Sequence, residues 1–163
     1  MTATYDLLAS TLVTTNTTNV TFDSIPSTYR DLIVVGNVLG SSTIPLRFRI
    51  NNDTTANYNR THARGDGGSA ASGRSANATE SLITSDFNLN NTEHTSFRMN
   101  IFDYQITDKQ KTILVRADRA TSTTEMSVTR WGSNAAINTV SLYVSGGNNI
   151  IPNSRFYLYG IRS

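Results

Sequence analysis

Leu46, Phe48 and Ile50 alternate with Pro45, Arg47 and Arg49, apolar on one parity and mostly polar on the other, as a half-buried antiparallel strand should read. Short runs of this kind recur at 5–12, 19–25, 31–39, 44–50, 58–64, 81–89, 96–106, 112–117, 126–131, 139–144 and 155–161. Gly, Pro, Asn, Asp and Ser fall between them, and no stretch repeats its apolar residues at the 3.6-residue period of a helix. Strands at this spacing predict an all-β fold, an antiparallel sandwich or a barrel. The segment 65–75 has the Gly and Ser content of a flexible surface loop, and neither of its flanks holds enough apolar strands to close a sandwich alone. One domain over residues 1–163 follows.

The same counting assigns faces. In 126–131, Met126 and Val128 are expected in the core, which sends Trp131 outward with Ser127 and Thr129. Tyr143 lies opposite Val140, Leu142 and Val144, while Tyr157 and Tyr159 lie opposite Phe156 and Leu158. Four aromatic side chains are thus predicted on outer faces. Arg47, Arg49 and Arg98 join them there, and aromatic and Arg side chains are the types enriched at protein interfaces. Arg also outnumbers Lys, twelve to two, and Arg supplies the planar fork that pairs with carboxylates.

Charge and composition narrow the partners. A net charge of +2 gives no dense basic stripe, so nucleic acid is not expected as a partner. Cysteine is absent, which leaves packing and β-ladders to hold the fold. The aliphatic run Leu32-Ile33-Val34-Val35 is far shorter than the ~20 apolar residues of a membrane helix, and the first residues lack the pattern of a signal peptide. No membrane association is expected.

Catalytic and ligand motifs are weak. Gly65-Asp66-Gly67-Gly68 is not followed by the Gly that a dinucleotide fingerprint requires, and neither Lys follows a Gly as a P-loop demands. Arg64-Gly65-Asp66 and the scattered Asn-x-Ser/Thr strings follow from local composition. His62 and His94 share no ligand spacing, and Asn51-Asn52-Asp53 reads as a turn before it reads as a cation loop. A glycosidase needs two carboxyls set for acid and nucleophile or base. Glu80, Asp86, Glu93 and Asp103 are the loose candidates, and no spacing singles out a pair. The chain therefore reads as a non-enzyme without cofactor or metal.

Three segments carry a family resemblance. They are Phe22-Asp23-Ser24-Ile25-Pro26-Ser27-Thr28-Tyr29-Arg30-Asp31-Leu32-Ile33-Val34-Val35, then Arg47-Phe48-Arg49-Ile50-Asn51-Asn52-Asp53-Thr54-Thr55-Ala56-Asn57-Tyr58, and last Ser145-Gly146-Gly147-Asn148-Asn149 with Ser154-Arg155-Phe156-Tyr157-Leu158-Tyr159-Gly160-Ile161. In these the chain resembles the small all-β virion proteins of tailed bacteriophages. The resemblance implies a two-sheet, jelly-roll-like β-sandwich, commonly trimeric. It implies a capsid decoration (cement) protein on the outer head surface, with the major capsid protein and copies of itself as partners. Its alternative is a tail-fibre or receptor-binding module that recognises a host surface glycan. A lone domain that begins at Met1 favours decoration over a fibre. Arg47, Arg49, Arg98, Trp131, Tyr143, Tyr157 and Tyr159 are the expected subunit or capsid contacts, with Trp131 or a Tyr as sugar platform in the alternative. The Gly-rich loop or the arm from Met1 to Tyr5 would add ordering contacts.

Overall fold

The computed structural model describes residues 4–85, 88–119, 121 and 123–162, all in strands, turns and loops. The strands are β1 (Tyr5–Leu12), β2 (Asn19–Phe22), β3 (Asp31–Val38), β4 (Arg47–Ile50), β5 (Tyr58–Gly65), β6 (Ala70–Ala78), β7 (Ser81–Leu82), β8 (Thr95–Ile101), β9 (Lys111–Arg119), β10 (Thr123–Trp131), β11 (Val140–Tyr143) and β12 (Arg155–Ile161). They form an eight-stranded sheet, in order β1-β12-β3-β8-β9-β10-β5-β6, and a four-stranded sheet, in order β2-β11-β4-β7. Every strand pairing is antiparallel. The chain is an antiparallel two-sheet β-sandwich of jelly-roll-like type, as its strand pattern and resemblance predict.

The core lies between the sheets. Leu46, Phe48 and Ile50 are fully buried on one parity, while Arg47 and Arg49 stay half-buried on the other. Opposite them stand Leu32 and Val34 of β3, Met99 and Ile101 of β8, Ile113 of β9 and Phe156 and Leu158 of β12. Two strand glycines make room for rings. A Cβ on Gly36 would fall 2.2 Å from the Phe97 ring, and one on Gly160 would fall 2.4 Å from the ring of Tyr29. The Tyr29 contact joins two of the segments that carry the family resemblance. Turns complete the frame: Asn51 and Asn52 adopt φ of 51° and 54°, and Gly146 and Gly147 adopt 71° and 75°. Asn tolerates this left-handed region because its short side chain bonds locally. The Asn51 oxygen accepts from the backbone N–H groups of Asn138 and Thr139, tying the turn to the strand entrance of β11.

Three sequence expectations change. Most of the predicted flexible loop at 65–75 is strand: Asp66 caps a tight connection by accepting from the N–H groups of Gly68 and Ser69, and β6 then runs antiparallel to β5. The segment 81–89 is not one strand. Only Ser81–Leu82 pair with β4, and Leu89 makes an isolated bridge to Ile44. The third change inverts a face. In β10 it is Thr123, Glu125, Ser127, Thr129 and Trp131 that point inward, while Met126 and Val128 are 50% and 45% exposed.

The physical reason lies in the unequal sheets. Register with β9 places Thr129 beside Ile113 and Ser127 beside Val115, and Trp131 buries the largest apolar surface of the strand. The polar inward positions find partners. Glu125 pairs with buried Arg60 of β5, accepts from the Ser85 N–H and hydroxyl, and so closes the end of the sandwich that the short sheet does not reach. Thr129 and Ser81 share a hydroxyl bond of 2.7 Å.

Candidate interaction surfaces

The seven residues expected at contacts separate into three places. Arg47, Arg49 and Tyr143 come together on the outer face of the four-stranded sheet. They converge on Glu80: Arg47 is ion-paired with one carboxylate oxygen, and Arg49 Nη2 donates to the other at 3.1 Å. Tyr143 also donates its hydroxyl to Glu80. The Arg49 guanidinium sits 4.8 Å from the centre of the Tyr143 ring, within cation–π range. Burial, and then the bond to Glu80, push the Tyr143 phenol far above its ordinary value. Beside this network lies an open depression of about 550 Å³ lined by Asn19, Thr21, Arg49, Asn52, Ser141 and Tyr143. Its polar groups largely bond one another, as in the 2.9 Å bond from Ser141 to the Asn52 oxygen.

Arg98, Tyr157 and Tyr159 belong to the opposite surface, the outer face of the eight-stranded sheet. The two tyrosine rings stack with centroids 6.3 Å apart and planes at 27°. Register sets Tyr159 between Leu7 and Ile33, and Tyr157 between Ser10 and Val35. Val35 in turn faces Arg98, and Arg98 faces Arg116. Beyond Arg116 the face continues through Met126. Two open depressions lie along this line. One, of about 230 Å³, is lined by Tyr5, Ile33, Val35, Arg98 and Tyr159; the other, of about 590 Å³, includes Arg98, Arg116, Asp118 and Thr124. Sequence parity found Arg98 and the tyrosines. It missed Arg116, Met126 and Val128, although the Arg98–Arg116 pairing needs only the β8–β9 hairpin register to be seen.

Trp131 is in the core, 2% exposed, which overturns its expected outward position and its use as a sugar platform. Its indole N–H donates to Asp53 at 2.7 Å. Partial burial raises the Asp53 carboxyl, but the bonds from Thr55, Asn57 and Trp131 outweigh this and hold it down at about 2.

The carboxylates considered for hydrolysis do not gather. Glu80 is held as described. Glu93 meets Arg119 at 3.6 Å and accepts from the Thr121 hydroxyl at 2.5 Å; Asp103 meets Lys109 at 2.6 Å, which keeps its carboxyl below the usual range. Glu93 precedes β8 and Asp103 follows it, so they stand at opposite ends of that strand. Asp86 and residues 1–3 of the expected N-terminal arm lie outside the described residues. Among the described residues no three His, Cys, Asp or Glu side chains gather as a metal site. His62 instead faces Gly73 and takes a 2.9 Å contact from Arg60.

No protein-family profile and no curated protein matches the sequence. Solved structures of similar shape include the PL-14 alginate lyase of Aplysia kurodai, at 12% identity and TM-score 0.42, covering 85% of this chain and 72% of that one. The galectin LEC-6 of Caenorhabditis elegans is similar at 9% identity and TM-score 0.39, covering 91% and 94%. A scytalido-glutamic peptidase is similar at 12% identity and TM-score 0.39, covering 87% and 74%. Their names are those of a lyase, a galectin and a peptidase. Fold does not select among such tasks.

Proposed function

We propose that this protein is a structural component of a tailed-phage virion, a decoration protein that binds the outer surface of the capsid and stabilises it. Its partners on this reading are the major capsid protein and copies of itself, and it works through buried surface without catalysis. The observation that carries the reading is the outer face of the eight-stranded sheet, where Tyr5, Leu7, Met126 and Val128 are each 45–56% exposed around Arg98 and Arg116. Half-exposed apolar side chains interspersed with Arg and aromatic residues are the composition that protein contact favours. The carboxylates at Glu80, Glu93 and Asp103, each beside its own cation, support the absence of hydrolytic chemistry.

Location on the virion is the test. Gold-labelled antibody against this protein should decorate heads evenly under the electron microscope, and heads without the protein should lose DNA at lower temperature. Label confined to the tail would overturn the decoration reading. It would support host recognition, for which the stacked Tyr157–Tyr159 pair offers the flat ring surface that sugar contacts use.

A further inference from the structure

Arg98 and Arg116 stand directly opposite each other on neighbouring strands, both on the outer face. Opposed residues of an antiparallel pair hold their Cβ atoms about 4.5–5.5 Å apart, and like charges there repel. Among the described residues neither guanidinium has an ion-pair partner within 4.0 Å; Arg98 donates only to the Asn100 side-chain oxygen, at 3.2 Å. Asp118 shares the face but is opposite Ser96, one pair further along. Polar residues border the pair on the side of Ser96, Asp118 and Thr124, and apolar ones border it elsewhere. Val35 is opposite Arg98, Met126 is opposite Arg116, and Leu114 and Val128 form the next pair toward the far end of β9.

We propose that this guanidinium pair and its apolar rim are the docking surface, and that its occupant is a different protein presenting a carboxylate within an otherwise apolar patch. The inference rests on the capsid reading above and names the face and chemistry by which it operates. A carboxylate entering between the two forks would remove their repulsion and accept from both, and Val35, Leu114, Met126 and Val128 would exclude water around it. A face-to-face second copy is disfavoured by charge, because a two-fold axis through this patch would gather four guanidiniums. Phosphate alone would satisfy the two Arg residues, yet it would gain nothing from a half-exposed Met126 and Val128.

The experiment adds purified protein to phage heads assembled without it and measures bound copies per head by gel densitometry at 50 and 500 mM salt. Wild type should bind, and less at high salt. Arg98→Glu/Arg116→Glu and Met126→Asp should each lower affinity about tenfold or more, whereas Arg30→Ala, whose side chain is 65% exposed just before β3, should bind as wild type. Equal melting temperatures would show that these exposed substitutions leave the fold intact; if the charge reversal does not fold, Arg98→Gln/Arg116→Gln takes its place with the same expected direction. Failure of wild type to bind heads would sink the capsid reading itself, and this inference with it. Wild-type binding that the face variants retain would overturn this inference alone, as would self-association in sedimentation that Met126→Asp abolishes, or displacement of wild type from heads by DNA.

Discussion

Asp53 does for Trp131 what a backbone acceptor does for most buried indoles: it takes the N–H, at 2.7 Å, so that the ring can be buried without an unsatisfied donor. Trp131→Phe keeps the ring in the core and removes the bond to a charged acceptor, so urea unfolding should report a loss of ~1.5–3 kcal/mol. The Asp53 carboxylate, held charged chiefly by its bonds from Thr55 and Asn57, predicts an acid limb. The carboxyl's pKa in the folded protein is about 2 against an ordinary 3.8, so its stabilisation is complete above roughly pH 4 and is lost as pH falls through about 2. Asp53→Asn should therefore lose less melting temperature than wild type between pH 4 and pH 2; parallel curves would mean the carboxylate is not what holds the turn. The faces of Arg47, Arg49 and Tyr143 were legible because apolar neighbours on the other parity leave no doubt which side is wet. Trp131 was not legible. Its strand alternates two apolar residues against two hydroxyls, and the inverted parity, which buries Trp131, is tolerated because the inward Glu125 finds a partner on another strand.

At the scale of elements, legibility followed side-chain pattern and failed where the backbone alone makes the strand. Ala70 to Ala78 contains no β-branched or aromatic residue, and most of it is exposed on both faces, so nothing in its side chains announces a strand. The ladder to β5 forms it, and His62 packs on Gly73, where a Cβ would come within 2.7 Å of the imidazole. By contrast β3 and β12 were plain, and their glycines now have a reason. Tyr29, held in place where its N–H meets the Tyr104 hydroxyl, lays its ring over Gly160. Gly160→Ala must therefore push an anchored aromatic ring and should cost ~1–3 kcal/mol, the usual range for overpacking, read as a lower denaturation midpoint with unchanged slope. If Gly160→Ala is neutral while Tyr29→Ala is severe, the ring has room that the present geometry does not give it.

For the whole molecule, the governing fact is that four strands cannot cover eight. From β12 through β9 the inward residues of the long sheet are mostly aliphatic and aromatic, with Thr95 and Lys111 at strand starts as the buried polar exceptions. Past β10 the inward residues turn polar, and the chain after β7 crosses over them with Ser85 donating to Glu125. Burying Arg60 and Glu125, whose side chains are 4% and 1% exposed, costs heavy desolvation that their mutual bond offsets together with the Ser85 donors to Glu125 and the His62 contact of Arg60. Such a pair closes the end of the sandwich at small net gain, but breaking it strands a charge. Glu125→Leu and Arg60→Met should each destabilise by ~3–5 kcal/mol, and the double variant should lose clearly less than the sum of the two. A double variant that loses the full sum would show that Arg60 and Glu125 act separately, each through its own contacts. Glu125 would then hold the sandwich end through its bonds from Ser85, and Arg60 through its contact with His62.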